Sequence, residues 1–582
     1  MAAKASGEIK TGTVRQAQKN GDIYVLERQT IYDPVTKQTR VLGSKLRCKI
    51  PKGSETPVAT RPKKAKTGNG GESASEITAS RERIGMMEII DHIGGVSGID
   101  EGVYRNTDLG TAQKIVSMAR YLLASNGQTL PGIVAWQYSH PLPYEDGISE
   151  DIYHDLFARV GRDETLQQSF FLNRCASIKG KPVLGYDSTT IGTYSENQIE
   201  ARYGHSKDED GLKAIKLLTL YSIETRQPVA FTKQPGNLPD VVTIENALKQ
   251  LSVLGLGNAE IITDNGYYSE HNLAALLLAG FDFVTLVKTG LKWVKAEIDA
   301  HAGDFGRVSS ACPFDTGTRG ISVTLMRRFV KVRKYASRKA GLAKGDGETF
   351  ERRVYLNIYF NAMRKVGDDT QFDEDLIGLR GTIEMGARVE DLPEAARDKA
   401  KKYLHVKRWG DKTHVSYNEA ACGEAKKYFG YFALVSNCER DPFECLRKYR
   451  KRETIESFFE AFKQRADGTR VRVWDSNTLR GRMFVQFVAL CYYEYLSNEI
   501  RNMKSHLGLP NGDAEHDSAE NIKLEKKLKS WLDNSPVYSV LHWFDAVEGV
   551  NVSSKLSAKR WSTEITARDK LFLLQLGVLL PF

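Results

Sequence analysis

The sequence predicts an α/β protein in which a sheet-and-helix core is interrupted by a β-rich insertion and flanked by helical N- and C-terminal regions. Three observations carry that prediction. From about residue 181, short apolar runs alternate with helical patterns. Between 290 and 429, alternating strand-like stretches take over. After 430 a buried strand returns, followed by long helical periodicity.

Taken in order, residues 1–50 are basic and strand-like. Ile23, Val25, Ile31, Val41 and Leu46 are spaced as in strands, and Asp33-Pro34 with Lys37 marks a turn, which predicts a small β-hairpin over 21–49. Residues 51–79 are rich in Pro, Gly, Ser, Thr and Lys and read as a flexible linker. Residues 80–175 hold helical stretches near 84–93, 111–126 and 151–168, a candidate DNA-end-binding region with no helix-turn-helix pattern. The core's first part spans 176–289. Val183–Asp187, Ala214–Ser222, Pro228–Lys233, Ala259–Asp264 and Phe281–Val287 read as strands, with helices over 241–254 and 270–279. Three strands, helix, strand, helix, strand is the order of an RNase H-like core. The insertion spans 290–429, where Val354, Leu356, Ile358 and Phe360 alternate. The core resumes over 430–475, with a strand at 431–436 and one long helix at 442–465. A helical region follows over 476–582.

The 582 residues imply about three or four domains. Apolar residues at 41 % and charged residues at 27 % fit a globular chain, and no run of 18 apolar residues exists to span a membrane. The opening Met1-Ala-Ala-Lys-Ala-Ser lacks an apolar signal core. Seven scattered cysteines without a CxxC pair exclude a zinc knuckle or disulfide frame and suit reduced thiols in a cytoplasm. The net charge is +10, and residues 1–70 alone hold 15 Lys and Arg against 5 Asp and Glu. That arm suits a polyanion or serves as a solubilising tail.

The segment 442–465 bears Tyr449, Arg452, Glu456 and Lys463. On one continuous helix they would fall within about 60° of each other, beside the apolar face of Ile455, Phe458, Phe459 and Phe462. A carboxylate there can ligate a metal while its cationic neighbours hold phosphates. The plainer alternative is an Arg452–Glu456 surface pair worth a few tenths of a kcal/mol. Asp187 and Asp264 each stand at the end of an expected strand, where ligands are reachable, or in an Asx turn.

These blocks resemble the DDE-type insertion-sequence transposases of the IS-four superfamily, which carry a Tyr-Arg-Glu-Lys signature. All four signature positions are met. Gly185-Tyr-Asp-Ser-Thr resembles the first-aspartate block, and Asp264-Asn-Gly-Tyr267 the second. Gly204-His-Ser-Lys-Asp208, Pro235-Gly-Asn237 and Asp240 are family-like, as is the strand at 430–437. The likeness covers about 84–505. The 77 residues from Asp187 to Asp264 and the 192 from there to Glu456 suit a β-rich insertion before the glutamate.

The resemblance implies a chemistry. Asp187, Asp264 and Glu456 would be catalytic and hold two Mg²⁺ ions, with Mn²⁺ a possible substitute. Asp187 would bridge the ions. Tyr449, Arg452 and Lys463 would bind DNA phosphates, and Arg465 and Arg470, with Arg472, Arg480 and Arg482, would extend a basic track or form a solvated face. The partners implied are the element's terminal inverted repeats, target DNA and a second copy in a synaptic dimer, within a prokaryotic cytoplasm and its nucleoid. Relatives that cut through a DNA hairpin use an aromatic residue to hold a flipped base, for which Trp293 and Trp409 are candidates. His205 reads as structural or DNA-adjacent, and Lys207 with Asp208 as a surface pair. Competing readings are an inactive DNA-binding relative, an RNase H-fold nuclease that never joins strands, and a helical scaffold protein with no affinity for DNA.

Overall fold

The computed structural model describes residues 9–18, 21–33, 38–53, 78–204, 211–332, 347–409, 412–510, 518–553 and 558–580. The chain forms two units, residues 1–77 with 554–556, and residues 78–553 with 557–582.

In the first unit, β1 (Ile9–Ala17), β2 (Ile23–Asp33) and β3 (Gln38–Ile50) make an antiparallel three-stranded sheet. The expected hairpin is β2 and β3, and β1 adds a third strand. Residues 11–17 are all exposed, so no apolar alternation announces β1. Its backbone pairing with β2 defines it. The expected linker lies, over 54–77, outside the described residues.

The second unit opens with β4 (Thr78–Arg83) and six helices: α1 (Gly85–Val96), α2 (Ile99–Tyr104), α3 (Leu109–Ala124), α4 (Ile133–Trp136), α5 (Glu150–Arg162) and α6 (Glu164–Ala176). Asp108, Ser149 and Asp163 start α3, α5 and α6 by accepting a backbone N–H three residues on. Next come β5 (Val183–Thr193), β6 (Lys213–Ser222), β7 (Gln227–Pro235), α7 (Ile244–Val253), β8 (Glu260–Thr263), α8 (Glu270–Leu278) and β9 (Asp282–Val287). The strands lie in the order β7-β6-β5-β8-β9. β5 is antiparallel to β6 and parallel to β8, and β8 is parallel to β9. Parallel steps need crossovers, which α7 and α8 supply. This is the expected RNase H-like core.

The interval 290–429 interrupts it with α9 (Lys292–Ala300), β10 (Ala311–Cys312), β11 (Asp315–Val332), β12 (Gly347–Asn361), α10 (Ala362–Glu384), α11 (Glu394–Tyr403), β13 (Leu404–Trp409), β14 (Lys412–Tyr417) and α12 (Glu419–Lys426). The core resumes with β15 (Tyr431–Ser436), α13 (Pro442–Arg450), α14 (Glu453–Arg465) and β16 (Arg470–Val471). β15 pairs with both β9 and β12, so β10–β12 extend the central sheet. Val354, Leu356, Ile358 and their neighbour Tyr359 are all buried, as befits an inner strand.

The chain closes with α15 (Ser476–His506), α16 (Ala519–Asp533), α17 (Val537–Phe544), β17 (Glu548–Ser553), β18 (Ala558–Ser562) and α18 (Ala567–Leu576). The expected helical tail therefore also holds two strands, which pair with β4 in a sheet β18-β17-β4. Among the described residues no helix is long and apolar enough to cross a membrane. The 31-residue α15 is buried along much of its length. It crosses α5 backbone to backbone. A Cβ on Gly161 would lie 1.7 Å from the Asn477 carbonyl oxygen, and one on Gly481 1.9 Å from that of Phe157.

Within α15, the buried Glu494 accepts a hydrogen bond from the Tyr221 hydroxyl at 2.9 Å. Burial pushes its carboxyl up to about 7, although Tyr221, Arg501 and Arg226 pull it down. The folded state therefore holds this proton more tightly than the unfolded chain, whose carboxyl titrates near 4.5. The stabilisation is complete below the unfolded value and is lost as the pH rises towards 7. Glu494→Gln, which keeps a carbonyl acceptor, should melt higher than the parent at pH 8 by roughly 2–3 kcal/mol of stability and differ little at pH 5. Thermal melts at both pH values check this. An unchanged or lower melting temperature at pH 8 would contradict it.

Candidate active site

On one edge of β5, β8 pairs only at Val183–Gly185 and β16 only at Gly192–Thr193. Residues 186–191 between them have no strand partner on that edge among the described residues. Helix α14 packs nearby. A Cβ on Gly185 would come 2.1 Å from the Cδ1 of the buried Ile455, so the absent side chain lets α14 rest on β5.

Near this gap the three carboxylates gather around Arg452. Asp187 does not end its strand, because β5 continues through Ser188-Thr-Thr-Ile191, paired with β6 to Thr193. All of β5 is buried, and the β-branched run suits an inner strand better than a turn. Asp264 does end β8, where it accepts from the Asn265 backbone N–H and opens a 3₁₀ turn over Asn265–Tyr267. Glu456 lies in the first turn of α14. The expected single helix over 442–465 is in fact two. The chain turns tightly at Lys451-Arg452, where the Arg452 N–H donates to the Tyr449 carbonyl and the Thr454 N–H to that of Lys451. The shared helical stripe does not exist as drawn, because Tyr449 belongs to the preceding helix.

The signature residues converge all the same. Arg452 donates from Nη1 to Asp187 at 2.8 Å and from Nη2 to Glu456 at 2.9 Å, and Nη2 stands 3.9 Å from Asp264. One guanidinium thus touches all three acids. The side chains grade outward, Asp187 10 % exposed, Asp264 39 % and Glu456 60 %. The Tyr449 hydroxyl donates to Asp264 at 3.0 Å. Burial, then the Asp264 carboxylate, holds that phenol well above its ordinary range. Burial works against the charge of Arg452, but Tyr449, Asp187, Asp264 and Glu456 hold it on. Two of the three side chains expected to bind phosphates, Tyr449 and Arg452, are therefore turned onto carboxylates here.

Lys463, half-buried, lies two turns beyond Glu456 on α14. Arg465 donates to Asn126 and stacks 3.9 Å from the Tyr538 ring centre. The expected basic track is uneven. Arg482 is buried against Asp467 at 2.6 Å, Arg480 pairs with Glu164 and Arg472 with Asp467, while Arg470 lies half-buried on β16. Trp293 is half-buried under the Arg327 guanidinium, 3.9 Å from its ring centre, whereas Trp409 ends β13 and is 67 % exposed. His205, Lys207 and Asp208 lie outside the described residues.

A supporting layer gathers Ser188, Asp240 and Tyr267, which the sequence shows only as family-like positions without a role, around Lys216, which it does not single out. The buried Tyr267 hydroxyl donates to Asp187 at 3.5 Å. Ser188 donates to Asp240 at 2.9 Å, and Lys216 donates to Asp240 at 2.6 Å and to the Leu238 carbonyl at 2.7 Å. The available signal was Lys216 itself, a cation flanked by Ala214-Ile215 and Leu217-Leu218 in a buried strand, which needs a buried partner.

Among the described residues no group of three or more His, Cys, Asp and Glu side chains is set to hold a metal ion. The donors nonetheless suit a hard divalent cation: three carboxylates, balanced locally by one guanidinium. That guanidinium is not fully satisfied, since its buried Nε has no hydrogen-bond partner.

A family model described as "Transposase DDE domain" matches residues 178–492, more than half of the chain and all three acids. No curated protein matches. Among solved structures, a piggyBac transposase synaptic complex with hairpin DNA, seen by cryo-EM, is similar at 8 % identity. That likeness covers 79 % of this chain and 78 % of that one, at a TM-score of 0.34.

Proposed function

We propose the residue roles that follow from one premise: the chain belongs to the transposase DDE-domain family and is a DNA transposase, an enzyme that cleaves DNA and transfers strands. Enzymes of this family generally use divalent metal ions. In this reading Asp187, Asp264 and Glu456 are the catalytic carboxylates and the metal ligands. Two Mg²⁺ ions, replaceable by Mn²⁺, would supply the activation of the attacking oxygen and the charge stabilisation of the leaving one. Asp187, the most buried of the three, would contact both ions, and Asp264 and Glu456 one each. Arg452 holds the acids together and, with Tyr449, Lys463 and Arg470, would face the phosphates around the cut. Arg465, engaged by Asn126 and Tyr538, would act by fixing α14 rather than by touching DNA.

The substrates would be an insertion sequence's terminal inverted repeats and a target duplex, joined in a homodimer that brings two ends together in a prokaryotic cell. The observation that supports this reading best is the convergence of three distant acids on one guanidinium. A plasmid carrying the coding sequence with its flanking DNA provides the test. Purified protein should cut at the element's borders in Mg²⁺, stop in a chelator, and join pre-cut ends to a second plasmid. Cutting that persists in the chelator, or cutting without any joining, would sink the assignment of the acids or of the transfer step respectively.

A further inference from the structure

The ladder between β5 and β8 ends at the pair Gly185–Ile262. Asp187 and Asp264 each stand two residues further on, in the same register but with no backbone pairing between them. Two carboxylates so placed repel each other. Their spacing must therefore be held by something other than the sheet.

A chain of side chains reaches both. The Lys216 side chain, 9 % exposed, ends on Asp240 Oδ1 at 2.6 Å and on the Leu238 carbonyl at 2.7 Å. Burying that ammonium is tolerable only because it is paired. Ser188 Oγ donates to the same Asp240 oxygen at 2.9 Å, and the Ser188 backbone N–H donates to Asp187 Oδ1 at 2.7 Å. Asp240 thus grips β5 at the residue beside its acid. On its other side Asp240 borders the second aspartate block. A Cβ on Gly266 would stand 3.6 Å from Asp240 Oδ2. The turn Asp240–Val242 is clamped to the turn Asn265–Tyr267 by the buried Asn272 of α8. Asn272 Nδ2 donates to the Val241 carbonyl at 2.6 Å and to the Tyr267 carbonyl at 2.8 Å. The Tyr267 hydroxyl closes the circuit on Asp187 at 3.5 Å.

We propose that Lys216, Asp240 and Ser188 are positioning residues that set the spacing of Asp187 and Asp264, and through it the affinity of the site for a divalent ion. The proposal rests on the reading of those two acids as metal ligands. Asp240 itself is taken up by an ammonium and a hydroxyl, so it acts through its neighbours. Side chains that orient metal ligands in this way govern affinity nearly as strongly as the ligands do.

The test is Mn²⁺ binding to the full chain by calorimetry, without DNA, so that turnover plays no part. Lys216→Met and Ser188→Ala should each weaken Mn²⁺ binding by about tenfold or more. Losing a positive charge near the acids would by itself tighten binding, so the sign separates position from charge. Because both residues act through Asp240, the double variant should lose no more than the worse single one, where independent sites would multiply their losses. DNA affinity in a chelator should match the parent's in every variant. Ser188→Ala removes one oxygen and keeps the proposal testable if Lys216→Met does not fold. Asp187→Asn should lose Mn²⁺ binding, and parent-like binding there would sink the metal reading and this proposal together. Loss in Asp187→Asn with parent-like or tighter binding in Lys216→Met and Ser188→Ala would overturn the positioning chain alone. Multiplied losses in the double variant would do the same.

Discussion

Asp187→Asn is expected to abolish both cleavage and joining while leaving DNA binding in place. Asp187 is the most enclosed of the three acids, hydrogen-bonded by Arg452 and by Tyr267. The amide keeps its shape and its acceptor oxygen but loses the negative charge that a divalent ion requires. An ion that stabilises transition-state charge by several kcal/mol makes its loss worth about a thousandfold in rate. The border-cutting assay measures the rate, and DNA affinity in the absence of metal serves as the control. A variant within about tenfold of the parent would remove Asp187 from the catalytic set.

The second large effect is expected at Arg452, and its sign depends on metal. The side chain is 9 % exposed and ties together three groups that otherwise repel one another. Arg452→Met leaves Asp187 buried without its cation, at a cost of roughly 3 kcal/mol in a chelating buffer. The same change makes the site more negative, so divalent ions should bind it more tightly. Mg²⁺ should therefore raise the melting temperature of the variant more than that of the parent, by the usual dependence of stability on ligand concentration over Kd. Melting curves with chelator and with Mg²⁺ check both halves. Equal melting temperatures in chelator, or an equal Mg²⁺ response, would show that Arg452 is not the internal cation described here.

The parts of the fold legible from sequence are those written locally. Val183–Tyr186, Ile261–Thr263 and Phe281–Val287 are compact apolar runs, and each is a strand of the core. Asp264 was legible for the same reason, since Asn265-Gly266 ends the strand in plain view. Asp187 was found but placed wrongly within its strand. Ser188-Thr189-Thr190 looks polar, and only β6 on one side and the distant β16 on the other make those residues strand. The break at Lys451-Arg452 was invisible because no proline or glycine marks it. The Arg452 side chain there is bound to acids 265 and 188 residues earlier in the chain, a non-local contact that helical periodicity does not encode. The basic track failed likewise: charge is readable from sequence, but which arginines are buried is not, and Arg482 lies among the largest fully buried side chains.

The bare crossing of α5 over α15 reaches further than its local geometry. With Gly161 and Gly481 each facing a carbonyl of the other helix, the leading helices and the trailing one are welded into a single frame. Arg482, next to that weld, anchors Asp467 together with Arg472, and hence the turn leading from α14 to β16. The region before β5 is therefore no detachable cassette. Exchanging it for a relative's would have to carry the matching face of α15 along, or α14 and its Glu456 would lose their footing.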